Sequence, residues 1–166
     1  MQVTIMNATA VSHLAPPRLE TLRPLEVAGL VQRYDSQSPS GIPDQWQRFT
    51  PYIGHILGQL GEVTYGVSYN FDKESNFDYM CGVEVKETRN LPKGFKSLLL
   101  PAQKYAVFTH AGHVAGIRAT YTAIWSKWLP AAGCRAVDGP TFERYDSKYN
   151  PLTGRGGFEI WIPIQW

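Results

Sequence analysis

Glu159 stands two residues before Trp161 in the closing stretch Gly157-Phe158-Glu159-Ile160-Trp161-Ile162-Pro163-Ile164. A carboxylate beside an indole can take a positive charge, the acid supplying Coulomb attraction and the ring face its quadrupole. In an extended strand side chains alternate, so Phe158, Ile160, Ile162 and Ile164 make one apolar face and Glu159, Trp161 and Pro163 share the other. The strand alone leaves two readings of that second face open: a wet outer surface, or the wall of a pocket that accepts a cation. In the pocket reading Glu159 is the counter-ion, and its carboxyl is harder to ionise in an empty aromatic site than in one holding a cation. Tyr69, Tyr145, Met80, Trp46 and Phe49 join Trp161 as candidate walls, since ring faces attract cations and Met adapts to varied shapes; each taken singly is also ordinary core. Glu143, inside Phe142-Glu143-Arg144-Tyr145, is the second acid, with pairing to Arg144 or simple solvation as its other readings.

Other chemistries find no support. His13, His55, His110 and His113 are scattered and form no metal-type set, and Cys81 and Cys134 lie far apart in neither disulfide-framework nor zinc spacing. The chain carries no nucleophile elbow, phosphate loop, dinucleotide fingerprint or zinc-hydrolase motif, and no cofactor is expected. Gly154-Arg155-Gly156-Gly157 does not run into a helix and reads as a turn.

Sixteen Lys and Arg against fourteen Asp and Glu leave a net charge of +2 without a basic run, which predicts no direct nucleic-acid contact. With 166 residues, 43% of them apolar, the chain has room for one domain or two small, intimately packed halves. The first seventeen residues, ending in Pro16-Pro17, read as a leader before a domain spanning 18–166. No export signal or stretch of ~20 apolar residues is seen, so no membrane contact and a cytoplasmic location are expected.

The candidate residues must be positioned by a regular order of elements. Arg18 to Tyr34 reads as a long strand interrupted at Pro24, and Asp35–Gly41 as a loop. Trp46, Phe49, Ile53, Ile56, Leu57 and Leu60 recur at helical spacing up to Gly61, with Pro51 expected to kink that helix or to separate a short turn from it. Strands are expected over Val63–Phe71, Phe77–Val85, Phe95–Leu100 and Gln103–His110. A second amphipathic helix bears Ile117, Tyr121, Ile124, Trp125 and Trp128 and is stopped by Pro130, and the strands Pro140–Asp146 and Phe158–Ile164 close the chain.

The order strand, helix, strand, strand therefore occurs twice, in modules of about 18–94 and 95–166. Val27-Ala28-Gly29-Leu30 answers Tyr105-Ala106-Val107-Phe108, Tyr69-Asn70 answers Tyr145-Asp146, and Phe77–Gly82 answers Phe158–Pro163, pairing Asp78 with Glu159 and Met80 with Trp161. The fold class expected is α+β: two βαββ modules about a pseudo-twofold axis, an antiparallel sheet with two main helices, and a ligand groove where the modules meet.

Several segments together resemble the GyrI-like, AraC-type effector-binding domains found in Rob-like transcription factors and as stand-alone proteins. They are Leu25–Leu30, Tyr79–Val85, Lys104–His113, Trp125–Pro130, Phe142–Tyr145 and Phe158–Ile164. The resemblance implies a duplicated module of the SHS2 type and a groove for bulky, cationic, lipophilic small molecules. It also implies an acid in the last strand facing that groove, the position matched by Glu159. The chain shows no helix-turn-helix and is similar to the stand-alone members, some of them drug-binding proteins of mobile gene cassettes. Two other functions are implied by relatives of the same type: hydrolysis of cyclopropane-bearing drugs, with Glu159 and Tyr69 or Tyr145 as the acid and tyrosine, and modulation of a protein partner such as gyrase.

Overall fold

A computed structural model describes residues 14–37 and 39–165, so most of the N-terminal leader lies outside the described residues. Pro24 splits the first long strand into β1 (Arg18–Leu22) and β2 (Leu25–Tyr34). Helix α1 (Ile42–Phe49) opens with Pro43 in its first turn and ends in a 3-10 turn, Thr50–Tyr52. It does not resume. Pro51 lacks the N–H that would continue the ladder, and Gly54 and Gly58, both at positive φ, turn the chain instead into β3 (Gln59–Tyr69), which begins four residues earlier than the apolar pattern suggests. Ile56, expected on the helix, still enters the core, whereas Leu57 and Leu60 remain exposed.

β4 (Phe77–Val85), β5 (Lys96–Leu100) and β6 (Gln103–His110) follow. A 3-10 turn, Val114–Gly116, then leads into α2 (Ile117–Ala123). The helical path continues beyond α2 as a π-helical stretch, Ile124–Trp128, in which the Leu129 N–H donates to the Ile124 carbonyl, and a last turn carries it past Pro130 to Ala131. β7 (Arg135–Ala136), β8 (Thr141–Tyr145) and β9 (Phe158–Gln165) complete the chain.

All the strands belong to one antiparallel system in the order β1-β6-β9-β8-β3-β4-β2-β5, with β7 paired to β9. β1 and β2 lie toward opposite ends of that order yet are joined by Arg23 and Pro24 alone, and β5 and β6 by Pro101 and Ala102. Two linking residues reach no more than about 10 Å, so the sheet curls until its ends approach. Its order reads alike from either end: β3, β4, β2 and β5 run outward from the middle on one side, β8, β9, β6 and β1 on the other.

The interval that carries Val27 onto Tyr105, run backwards, carries Lys96–Leu100 onto Arg18–Leu22, so strand β5 falls on strand β1 end to end. Val27 pairs with Glu84 and Tyr105 with Pro163, which makes Glu84 answer Pro163 and, along the same ladders, Met80 answer Glu159 and Gly82 answer Trp161. The sequence alignment of Met80 with Trp161 and Asp78 with Glu159 is therefore out by two residues, a slip that keeps every side chain on its face and that alternation cannot detect. The alignment of Tyr69 with Tyr145 is out by one, which puts them on opposite faces. By the corrected register Cys81 answers Ile160 and Gly66 answers Glu143, and Gly66 and Glu143 are paired with each other across β3 and β8. The pseudo-twofold axis passes between them.

Both helices cover the same face of the sheet. α1 packs on Ala28, Tyr79, Cys81 and Val83, the helical path from α2 packs on Ala106, Phe108, Ile160 and Ile162, and Trp46 touches both clusters. The other face, helix-free, closes on itself around Val27, Tyr65, Val67, Met80, Tyr105, Phe142 and Trp161. At Gly29 a Cβ would stand 1.8 Å from the Cys81 carbonyl oxygen, so only glycine permits the close approach of β2 to β4. Among the described residues no helix is long and apolar enough to cross a membrane.

Candidate functional site

Alternation along β8 sends Phe142 and Arg144 to the helix-free face and Thr141, Glu143 and Tyr145 to the helix-covered one. Glu143 is thereby carried to the middle of the sheet, under both helices, where it is 5% exposed. No ion pair reaches it among the described residues. Its carboxylate is held by tyrosines: Tyr79 Oη donates to Oε1 at 2.8 Å, Tyr121 Oη to Oε2 at 2.5 Å, and Tyr145 Oη approaches Oε1 at 3.4 Å. Trp46 Nε1 donates in turn to Tyr79 Oη at 3.1 Å, and its ring meets Tyr145 edge-on at 5.5 Å. The acid thus draws one tyrosine from β4, one from β8 and one from α2, with an indole from α1 behind them.

Each supporting element is fastened locally. The buried amide of Gln45 donates to the carbonyls of Leu30 and Tyr79 at 2.9 and 2.8 Å and accepts from Tyr34 Oη at 2.7 Å, locking α1 to β2 and β4. Gly66, the partner of Glu143 across the axis, leaves the space that the carboxylate and Tyr79 fill; a Cβ there would lie 2.1 Å from Tyr79 Oη and 2.7 Å from Glu143 Oε1. Gly66→Ala is expected to push the two groups apart and to cost about 1 to 3 kcal/mol, the range for an overpacked core, read as a lower denaturant midpoint. A variant as stable as the parent would mean that the cluster gives way without cost.

Burial pushes the Glu143 carboxyl up to about 7, against the opposing pull of the hydrogen bonds from Tyr121, Tyr79 and Tyr145. The three phenols are held well above their ordinary range, by burial first and by the neighbouring acid second, so they stay protonated as donors. The site is a buried acid near its own midpoint at neutral pH, satisfied only by neutral donors. Ionising such an acid costs free energy unless a charge of opposite sign lies beside it.

The sheet divides the residues nominated from sequence. Glu159, Trp161, Tyr69 and Met80 lie on the helix-free face, whereas Tyr145, Trp46 and Phe49 lie on the helix-covered face. The structure brings Tyr145 and Trp46 to Glu143; Phe49 is fully buried against Trp46 and Phe95. Glu159 is already matched: Arg18 Nη1 lies 2.7 Å from its Oε2 and Arg144 Nη1 3.8 Å from its Oε1. Trp161 stacks on Phe142 and has the Arg18 guanidinium 5.9 Å from its ring centroid. The carboxylate-indole pair legible in the last strand does take a cation, and that cation is the chain's own Arg18.

Tyr79 and Tyr121 were not foreseen as site residues. Tyr145 two residues from Glu143 was a usable signal, since both share a face, and the adjacent Arg144 could not be the partner of Glu143 because it points to the opposite one.

The GyrI-like small molecule binding domain matches residues 15–165 of the chain. The transcriptional regulator BrlR of Pseudomonas aeruginosa is 35% identical over 136 residues, which span 81% of this chain and 50% of that regulator, so the chain corresponds to half the length of the relative it matches. The structure of SAV2435 bound to tetraphenylphosphonium superposes with a TM-score of 0.73 at 20% identity, covering 91% of this chain and 94% of that one. An integron cassette protein from the mobile metagenome of Vibrio cholerae superposes at 0.68 with 18% identity, over 92% of this chain and 98% of that one. These two likenesses are of fold.

Proposed function

The chain belongs to the family of GyrI-like small molecule binding domains, and from that premise we propose that it binds amphipathic organic cations at Glu143, with Tyr79, Tyr121, Tyr145 and Trp46 as the aromatic surround. The observation that carries this reading is a buried carboxylate without a cationic partner among the described residues, ringed by π faces and hydroxyls. Such a surround attracts a delocalised positive charge and offers little to an anion. That SAV2435 has been solved with tetraphenylphosphonium supports the choice of ligand class.

A hollow of about 370 Å³ lies along α2, lined by Arg118, Ala119, Thr122, Ala123, Ser126 and Lys127, and another of about 300 Å³ lies at Tyr69, Phe71 and Asp138; Glu143 lines neither. Tyr121 Oη covers Oε2 of Glu143, so a ligand that reaches the acid is expected to displace Tyr121, and with it α2. The π-helical stretch that follows α2 is a form of helix frequent at functional sites, with a looser ladder to rearrange.

The experiment is a titration with tetraphenylphosphonium and with triphenylphosphine oxide, a neutral molecule of similar aromatic bulk, followed by calorimetry and by tryptophan emission. The cation is expected to bind more tightly and to quench Trp46; equal affinity for both would remove charge recognition. Incubation with a cyclopropane-bearing drug, whose strained ring water can open, followed by mass analysis for added water separates binding from hydrolysis, because a near-neutral carboxyl beside a tyrosine can also act as a general acid or base.

A further inference from the structure

We propose that His110 is the latch that holds α2 shut over Glu143, an inference that rests on the reading of Glu143 as the ligand site. His110 ends β6 and is 7% exposed, its ring lying against Phe158 with centroids 4.8 Å apart. Both ring nitrogens are spent on the segment that leads into and forms α2. Nε2 is 2.8 Å from the His113 carbonyl oxygen, and Nδ1 is 2.7 Å from Thr120 Oγ1. A carbonyl can only accept, so Nε2 carries the proton and donates; in the neutral ring Nδ1 then accepts from the Thr120 hydroxyl.

Thr120 is the residue before Tyr121. Among the described residues, two side-chain hydrogen bonds tie α2 to the sheet: Tyr121 to Glu143 and Thr120 to His110. A ligand that takes Glu143 must break the first. The second does not touch the ligand, so it adds to the cost of opening whatever the ligand's charge. The first turn is further steadied by the Ala115 N–H donating to His113 Nδ1 at 3.0 Å and by the Val114 N–H donating to the Gly154 carbonyl at 2.8 Å, which keep His113 where His110 can reach it. His110 is thus a positioning residue: it sets the population of the open form and with it the apparent affinity.

Two variants test this. His110→Phe keeps an aromatic ring against Phe158 and deletes both hydrogen bonds; Thr120→Val is isosteric and deletes one. Backbone amide exchange over residues 114–123 is expected to accelerate about fivefold in Thr120→Val, the worth of one net hydrogen bond, and more in His110→Phe, while β8 and β9 exchange as before. Association of tetraphenylphosphonium, followed by tryptophan quenching, should speed up by the same factor, and so should that of triphenylphosphine oxide, because the latch is blind to charge.

Unchanged exchange over 114–123 in the folded variants would overturn the latch, as would acceleration spread equally over β8 and β9. Faster exchange without faster association would overturn its control of entry. If His110→Phe does not fold, Thr120→Val decides alone. Failure of the parent protein to bind either probe would instead count against the ligand site, and the exchange result would still decide whether His110 holds α2.

Discussion

Replacing Glu143 by Gln is expected to weaken tetraphenylphosphonium binding by about 2 to 5 kcal/mol, the loss found when one member of a desolvated charge pair is truncated. Gln keeps the volume, and its carbonyl oxygen can still accept from Tyr79 while the Tyr121 hydroxyl turns to accept from the new amide. What disappears is the negative charge. Triphenylphosphine oxide should bind the variant as well as it binds the parent, or slightly better, since no carboxylate remains to be ionised in a dry site. Calorimetry on both probes reads the selectivity directly. Equal losses would report damage to the pocket, and no loss for either would take the acid out of the site. Glu159→Gln is the matching control: its charge faces Arg18 and Arg144 on the other side of the sheet, so cation affinity should be untouched.

Much of the architecture was legible because each strand carries its own period. β4 and β6 coincide with the bounds read from alternation, and the repeated order of elements follows from apolar runs separated by Gly, Pro and Asn. The first helix was overextended, since Ile53, Ile56, Leu57 and Leu60 keep helical spacing through residues that Pro51 and two left-handed glycines in fact turn. Spacing reports a face only if the backbone stays helical. The register of β4 against β9 was misplaced for a related reason, since alternation fixes which face a residue occupies but leaves the sliding position of one strand on another free by steps of two. The one-residue slip of Tyr69 against Tyr145 came instead from matching residue type across strands whose faces differ.

The site was half legible. Glu159 with Trp161 has the composition of a cation site, and the fold spends it on Arg18, a residue whose partner lies far away in sequence and could not be identified without the pairing of β1 with β6 and β6 with β9. Glu143 was legible as the second acid, ranked behind Glu159 because pairing with Arg144 stood as one of its readings, although adjacent residues of a strand cannot share a face. Its surround is non-local as well, for Tyr79, Tyr121 and Trp46 arrive from β4, α2 and α1. A glycine opposite an acid across a twofold axis leaves no mark in the sequence.

The pH dependence of stability should carry the signature of Glu143, because burial raises its carboxyl from the usual carboxylate range to about 7 in the ligand-free protein. A group whose pKa is raised on folding stabilises the fold fully below its unfolded pKa, and that contribution is lost as pH climbs through the folded value. Between about pH 4.5 and pH 7 the ligand-free protein should therefore lose roughly 3 kcal/mol that the Glu143→Gln variant does not lose, because raising a pKa tenfold in proton affinity corresponds to about 1.4 kcal/mol. The difference between the two proteins' denaturation curves across that window isolates the group, since the other titrating residues are common to both. Bound cation reverses the preference by favouring the ionised form. Tetraphenylphosphonium should consequently bind about tenfold more weakly for each tenfold rise in proton concentration below the Glu143 midpoint, level off above it, and release a proton on binding near neutrality, seen as a calorimetric enthalpy that varies with the buffer's ionisation heat. A parent and variant with parallel stability profiles, or a cation affinity flat from about pH 5 to 8, would mean that Glu143 stays charged in the empty site, held there by its tyrosines alone.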